Sequence, residues 1–233
     1  MVKTAGIEDD AMSAVPWQST YINELDISST ELSEDCLLDI FFRMPRLKYL
    51  AVPYCDGFTD KVLELLVDHG KLSTCHAIDL SNTVNLSSDV VYTFLMLHGK
   101  HLHGLSYAGN ANVTEQFWRK IVGSLENIKR IITKVHVDQI LDVCAHYCPE
   151  LQRLEIQWDA DTVRFSELNS KFIDNLRIRC IHLQSLVLSD GAYYESVKAN
   201  FERANRNRVV RTTTSYRTTT ISLLDYYNQL KFN

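Results

Sequence analysis

The sequence predicts an α/β fold of the solenoid kind, with short parallel strands on a concave face and helices on a convex one. Three observations carry that expectation. One short apolar phrase recurs seven times between Ile22 and Leu188. Its start-to-start spacings are 25, 28, 27, 26, 23 and 32 residues. A helix-start signal comes after most copies. A single strand-plus-helix unit cannot bury its own apolar face, so units at such a period must stack to make a continuous core.

Each phrase is apolar at its first, fourth and sixth positions and turns at its ninth. In order they are Ile22-x-x-Leu25-x-Ile27-x-x-Thr30, Leu47-x-x-Leu50-x-Val52-x-x-Cys55, Cys75-x-x-Ile78-x-Leu80-x-x-Thr83 and Leu102-x-x-Leu105-x-Tyr107-x-x-Asn110. Ile128-x-x-Ile131-x-Thr133-x-x-His136, Leu151-x-x-Leu154-x-Ile156-x-x-Asp159 and Leu183-x-x-Leu186-x-Leu188-x-x-Gly191 complete the series. Twenty of the 21 apolar slots hold an apolar residue, Thr133 being the exception, where a 45% apolar chain would fill about nine by chance. Each phrase therefore reads as a strand.

The segments between the strands carry the helix signals. An apolar residue, a hydroxyl and an acid recur in Leu32-Ser33-Glu34, Phe58-Thr59-Asp60, Leu86-Ser87-Ser88-Asp89, Val113-Thr114-Glu115 and Phe165-Ser166-Glu167. The hydroxyl can accept from the free amides of a first helical turn, and the acid suits the positive end of the dipole. The preceding apolar residue can staple the chain as it enters the helix. Apolar residues then fall at helical spacing, as at Val62, Leu65 and Leu66. The unit is a strand, a capped helix of about three turns, and a return loop. The period and pattern specify a leucine-rich repeat solenoid, a curved horseshoe of about seven repeats. Residues 1–20 are expected to be a flexible N-terminal segment, 21–205 the repeat domain, and 206–233 a basic Thr-rich tail and C-terminal cap.

Segments such as Phe58-Thr59-Asp60-Lys61-Val62-Leu63-Glu64-Leu65-Leu66 and Cys148-Pro149-Glu150-Leu151-Gln152-Arg153-Leu154 resemble the cysteine-containing subclass of leucine-rich repeats. That subclass is typical of F-box proteins, the substrate receptors of cullin ubiquitin ligases. The resemblance implies substrate recognition in a cullin-type ligase, with a Skp adaptor or a cullin as partner. Leu32 to Phe41 also resembles the opening helix of an F-box. It falls in rhythm between two phrases, however, where a repeat helix is required, and no complete F-box is found.

Composition narrows the function classes. Net charge is −5 and mean hydropathy −0.14, and no apolar run approaches the ~20 residues of a membrane span. Met1 to Ser19 carries Glu8, Asp9 and Asp10 without an apolar stretch, so it reads as neither a secretory signal nor a transit peptide. The six cysteines show no paired framework and are expected to be free thiols in a cytoplasmic or nuclear protein. Cys144, His146 and Cys148 lack the paired spacing of zinc sites, and core packing of the thiols is the expectation. No glycine-rich phosphate loop, GxSxG or HExxH is present, so neither an enzyme nor a cofactor is expected. Lys198 to Arg217 carries six bases against one acid, but its aromatic content is too thin to favour nucleic acid.

Function is expected on the concave face, at the positions between the apolar slots. Tyr49, Tyr54, Arg130, Lys134, Arg153, Glu155 and Trp158 are the expected partner-binding residues. Aromatics and arginines dominate interface energetics, and Trp158 with Arg130 and Arg153 is the expected hot spot. Ala51, Pro53, Ser106, Ala108, Ile132 and Gln157 share that surface. The expectation is a protein-binding module, either the ligase receptor or a non-ligase scaffold or assembly factor, including one for mitochondrial complexes.

Overall fold

The strands form one open sheet, all parallel, in strict chain order. The structure is a computed structural model and describes residues 7–110, 114–133, 137–156, 170–188, 198, 201–202 and 208–212. Seven strands fall on the seven phrases: β1 (Glu24–Asp26), β2 (Tyr49–Ala51), β3 (Ala77–Asp79), β4 (Gly104–Tyr107), β5 (Arg130–Thr133), β6 (Arg153–Ile156) and β7 (Ser185–Leu188). Their fourth-slot residues pair one-to-one, Leu25 with Leu50, Leu50 with Ile78, and on through Leu105, Ile131 and Leu154 to Leu186. An identical register in every unit makes this α/β sheet solenoid-like, consistent with a leucine-rich-repeat architecture.

Six helices accompany these strands: α2 (Glu34–Arg43), α3 (Asp60–Asp68), α4 (Ser88–His98), α5 (Glu115–Ile121), α6 (Val137–Tyr147) and α7 (Ser170–Arg179). Four begin as the sequence predicts. The Ser33, Thr59, Ser87 and Thr114 hydroxyls accept from the amides of Cys36, Val62, Val90 and Phe117. The stapling residues Leu32, Phe58 and Leu86 are buried. The cap at Ser166 lies outside the described residues. Leu32 to Phe41 is a repeat helix: α2 runs between β1 and β2 and turns Cys36, Leu37, Ile40 and Phe41 inward.

The turn after each strand is equally regular. Ser29, Tyr54, Asn82 and Gly109, the eighth position of the first four phrases, all adopt positive φ, between 55° and 75°. The ninth residue then points inward. Thr83 donates to the Val52 carbonyl (3.1 Å) and the Asn110 side chain to the Leu80 carbonyl (3.0 Å), so the third and fourth turns are tied to the unit before them. At Gly109 a Cβ would lie 1.9 Å from Asn82 Oδ1, which leaves glycine alone able to close that turn.

Two boundaries differ from expectation. An eighth strand, β8 (Val209–Thr212), continues the sheet beside β7, with Val210 opposite Leu186. These residues belong to the sheet and not to a tail. The phrase misses this strand because Asn207 and Thr212 occupy its first and sixth slots. Buried Arg208 explains its anchoring: the guanidinium donates to the carbonyls of Arg177, Cys180 and Ile181, capping the end of α7. At the other end, part of the segment expected to be flexible is structured, with a short helix α1 (Asp9–Ser13) and a single 3-10 turn (Trp17–Ser19). Arg43 donates to the Ser13 and Val15 carbonyls, and Trp17 is buried against the first unit. The segment packs over the core on the β1 side.

Candidate partner-binding surface

Alternation along each strand divides its side chains between two faces. The fourth and sixth slots enter the main core with the helices, whereas the third and fifth turn to the opposite face. That face carries Tyr49 and Ala51 from β2, Ala77 and Asp79 from β3, Ser106 from β4, Arg130 and Ile132 from β5, and Arg153 and Glu155 from β6.

The expectation that these positions meet solvent is overturned for most of them. Tyr49 is 0% exposed, Arg130 1% and Glu155 2%; Ala51, Ser106, Ala108 and Ile132 are buried as well. Tyr49, Ala51, Ala77 and Ile132 form a second apolar cluster, separate from the main core. The small residues Ala51 and Ala77 leave room for the Tyr49 ring to lie against the sheet. Desolvation and the Asp79 and Asp26 carboxylates push the Tyr49 phenol far above its usual range, and Arg130, three strands away, pulls in the other direction. The side chains thus converge across strands and bury one another. Tyr49, Arg130 and Glu155 hold further interactions besides.

Two polar groups organise the face. Glu155 Oε2 stands 3.6 Å from a terminal nitrogen of both Arg130 and Arg153, a charged trio in which Arg153 alone keeps partial exposure. A buried ion pair is weak evidence for stability, because its desolvation offsets the attraction. Asp79, fully buried, accepts from the Ser81 amide at 2.9 Å, and Ser81 and Ser106 share a 2.7 Å hydroxyl contact. Desolvation raises the Asp79 carboxyl to about 6, against the pull of those hydrogen bonds.

Tyr54 and Arg153 are therefore the predicted residues that remain reachable. Tyr54, in the positive-φ turn after β2, is 48% exposed. Lys134, Gln157 and Trp158 lie outside the described residues. Cys144 on α6 and Cys148 just past its end are buried while His146 is exposed, and Cys180 Sγ contacts the carbonyls of both cysteines. All six cysteines are free and buried. Burial pushes the Cys75 and Cys180 thiols up to about 12. Among the described residues no group of three His, Cys, Asp or Glu could hold a metal ion, and no helix is long and apolar enough to cross a membrane.

Sequence reasoning missed a second surface, at the edge where helices return to strands. The second slot of successive phrases holds Asn23, Lys48, His76, His103 and Lys129, and their backbones form one ladder. Each amide donates to the preceding carbonyl at 2.6–2.8 Å. The His76 and His103 rings stack at 5.3 Å and 9°. Aligning the phrases on their second slot would have exposed this column.

The chain matches no family model. No curated protein matches it either. Among solved structures it is similar to a chain in the crystal structure of the Rad7 and Elc1 complex in yeast, at 11% identity and a TM-score of 0.38. That match covers 88% of this chain and 78% of the other.

Proposed function

We propose that the protein is an interaction module that binds a protein partner, without chemistry of its own, and that its setting is substrate recognition in a cullin-type ubiquitin ligase. The observation that carries the interaction reading is the single register of the parallel sheet. It repeats equivalent surface positions about 4.8 Å apart along the sheet, and such extended surfaces are what solenoids use for recognition. The ligase setting is supported only by the resemblance of the repeats to the cysteine-containing subclass. A Skp adaptor or a cullin would then be a partner, in the cytoplasm or nucleus.

The test is affinity purification of the tagged chain from cells held under a proteasome inhibitor, followed by mass spectrometry. Recovery of a Skp adaptor or cullin is the expected outcome, with the other enriched proteins as substrate candidates. Recovery of other partners without any ligase component would remove the ligase setting and leave a scaffold or assembly factor.

A further inference from the structure

Around β2 to β4 the two edges of the solenoid carry opposite charge; the return into β5 (122–129) adds Lys129 together with one acid, Glu126. The returns leading into β2, β3 and β4 (residues 44–48, 69–76 and 99–103) contain Arg46, Lys48, Lys71 and Lys100 with four histidines, and no acid. The turns leaving β1, β2 and β3 (27–33, 52–59 and 80–87) contain Glu31 and Asp56 and no base. Each helix begins on the acidic edge and ends on the basic one, so its dipole favours this polarity near its termini. That accounts for Glu34 or Asp60. It does not account for Lys48, His76, His103 and Lys129, which lie beyond the helices at consecutive strand starts. There the four side chains stand one strand spacing apart, about 4.8 Å, with Lys48 and Lys129 on either side of the stacked His76 and His103 rings. His103 shows the crowding: desolvation first, then Lys129 and His76, hold its imidazole below its usual range. Among the described residues no side-chain hydrogen bond or ion pair engages Lys48 or Lys129.

The same edge offers apolar contacts. Tyr21 is 100% and Ile22 41% exposed. With Pro45 and Arg46 they line a cleft of about 490 Å³ beside the column. A polyanion recognised through charge alone would gain nothing from Tyr21 and Ile22, whereas an acidic polypeptide with apolar side chains would use both features.

We infer that the basic edge, from the Tyr21–Arg46 cleft along Lys48, His76, His103 and Lys129, docks an acidic protein segment carrying apolar anchors. This rests on the reading of the protein as a partner-binding module and assigns where and to what chemistry it binds.

The probe is a fluorescein-labelled 20-residue peptide alternating Glu-Asp pairs with Leu and Phe, titrated with the full chain by anisotropy. Binding that weakens from 50 to 300 mM salt is expected, since exposed charges are screened over about 8–10 Å. The double variant K48E/K129E should weaken it about tenfold or more, Tyr21→Ala severalfold, and D56K on the acidic edge should leave it unchanged. If circular dichroism shows K48E/K129E misfolded, K48Q/K129Q replaces it, with a smaller loss expected. No binding by the wild type, indifference to the edge variants, or tighter binding of a single-stranded oligonucleotide of equal charge would each overturn the assignment. A natural partner that is still captured by K48E/K129E would overturn the edge alone and leave the interaction module standing.

Discussion

At the scale of single residues, Asp79 is where burial and charge conflict most. Its carboxyl is 0% exposed, and among the described residues Oδ2 has no hydrogen-bond partner. The folded state therefore holds the proton more tightly than the unfolded chain, with a pKa raised from 3.8 to about 6. Between those values the native state binds more protons, so this group's contribution to stability falls as pH rises through the window and is flat above it. Asp79→Asn keeps the acceptor for the Ser81 amide and removes the ionisation. Relative to wild type, Asp79→Asn should gain about 2 kcal/mol between pH 4.5 and 7.5, from 1.5 pH units at 1.36 kcal/mol each, as an upper bound. Urea unfolding of both proteins at those two pH values measures it. A difference that does not change with pH would mean that Asp79 ionises freely in the folded protein.

At the scale of elements, the strands and caps were legible because each depends on a few contiguous residues. Slots four and six report the buried face directly, and Ser33, Thr59, Ser87 and Thr114 sit where a helix must start. Ser87→Ala should cost about 1 kcal/mol, read as a fall in the urea midpoint at constant slope. An unchanged midpoint would assign the start of α4 to the staple at Leu86 alone. The functional face was less legible. Alternation places Tyr49, Arg130 and Glu155 off the main core, but it cannot say whether side chains from separate strands will gather over the sheet, as Tyr49, Ala51, Ala77 and Ile132 do. The eighth strand was hidden for a related reason, since its hold comes from register with β7 and from Arg208 under α7 rather than from its own apolar slots. The basic column was within reach of the sequence, yet it becomes a surface only when five residues spaced a full repeat apart are stacked.

At the scale of the whole molecule, each unit touches its neighbours and little else, so stability behaves as a chain of nearest-neighbour terms. The fourth-slot column shows this: Leu105 is fully buried between Ile78 and Ile131, whereas Leu25, at the end strand, has Leu50 on one side and remains 8% exposed. Truncation at the two sites removes the same atoms from unequal surroundings. Leu105→Ala should cost about 3–5 kcal/mol and Leu25→Ala nearer 2. The spatial consequence is the sharper discriminator. Loss at Leu105 interrupts the array in its middle, so amide exchange should quicken in β3, β4 and β5 together; loss at Leu25 should quicken β1 and leave β4 onward protected. Hydrogen exchange resolved by segment tests both variants in one experiment. If Leu25→Ala loosened β5 as much as Leu105→Ala does, the solenoid would be unfolding as a single cooperative block, and the basic edge, which spans β1 to β5, would form or vanish as one unit.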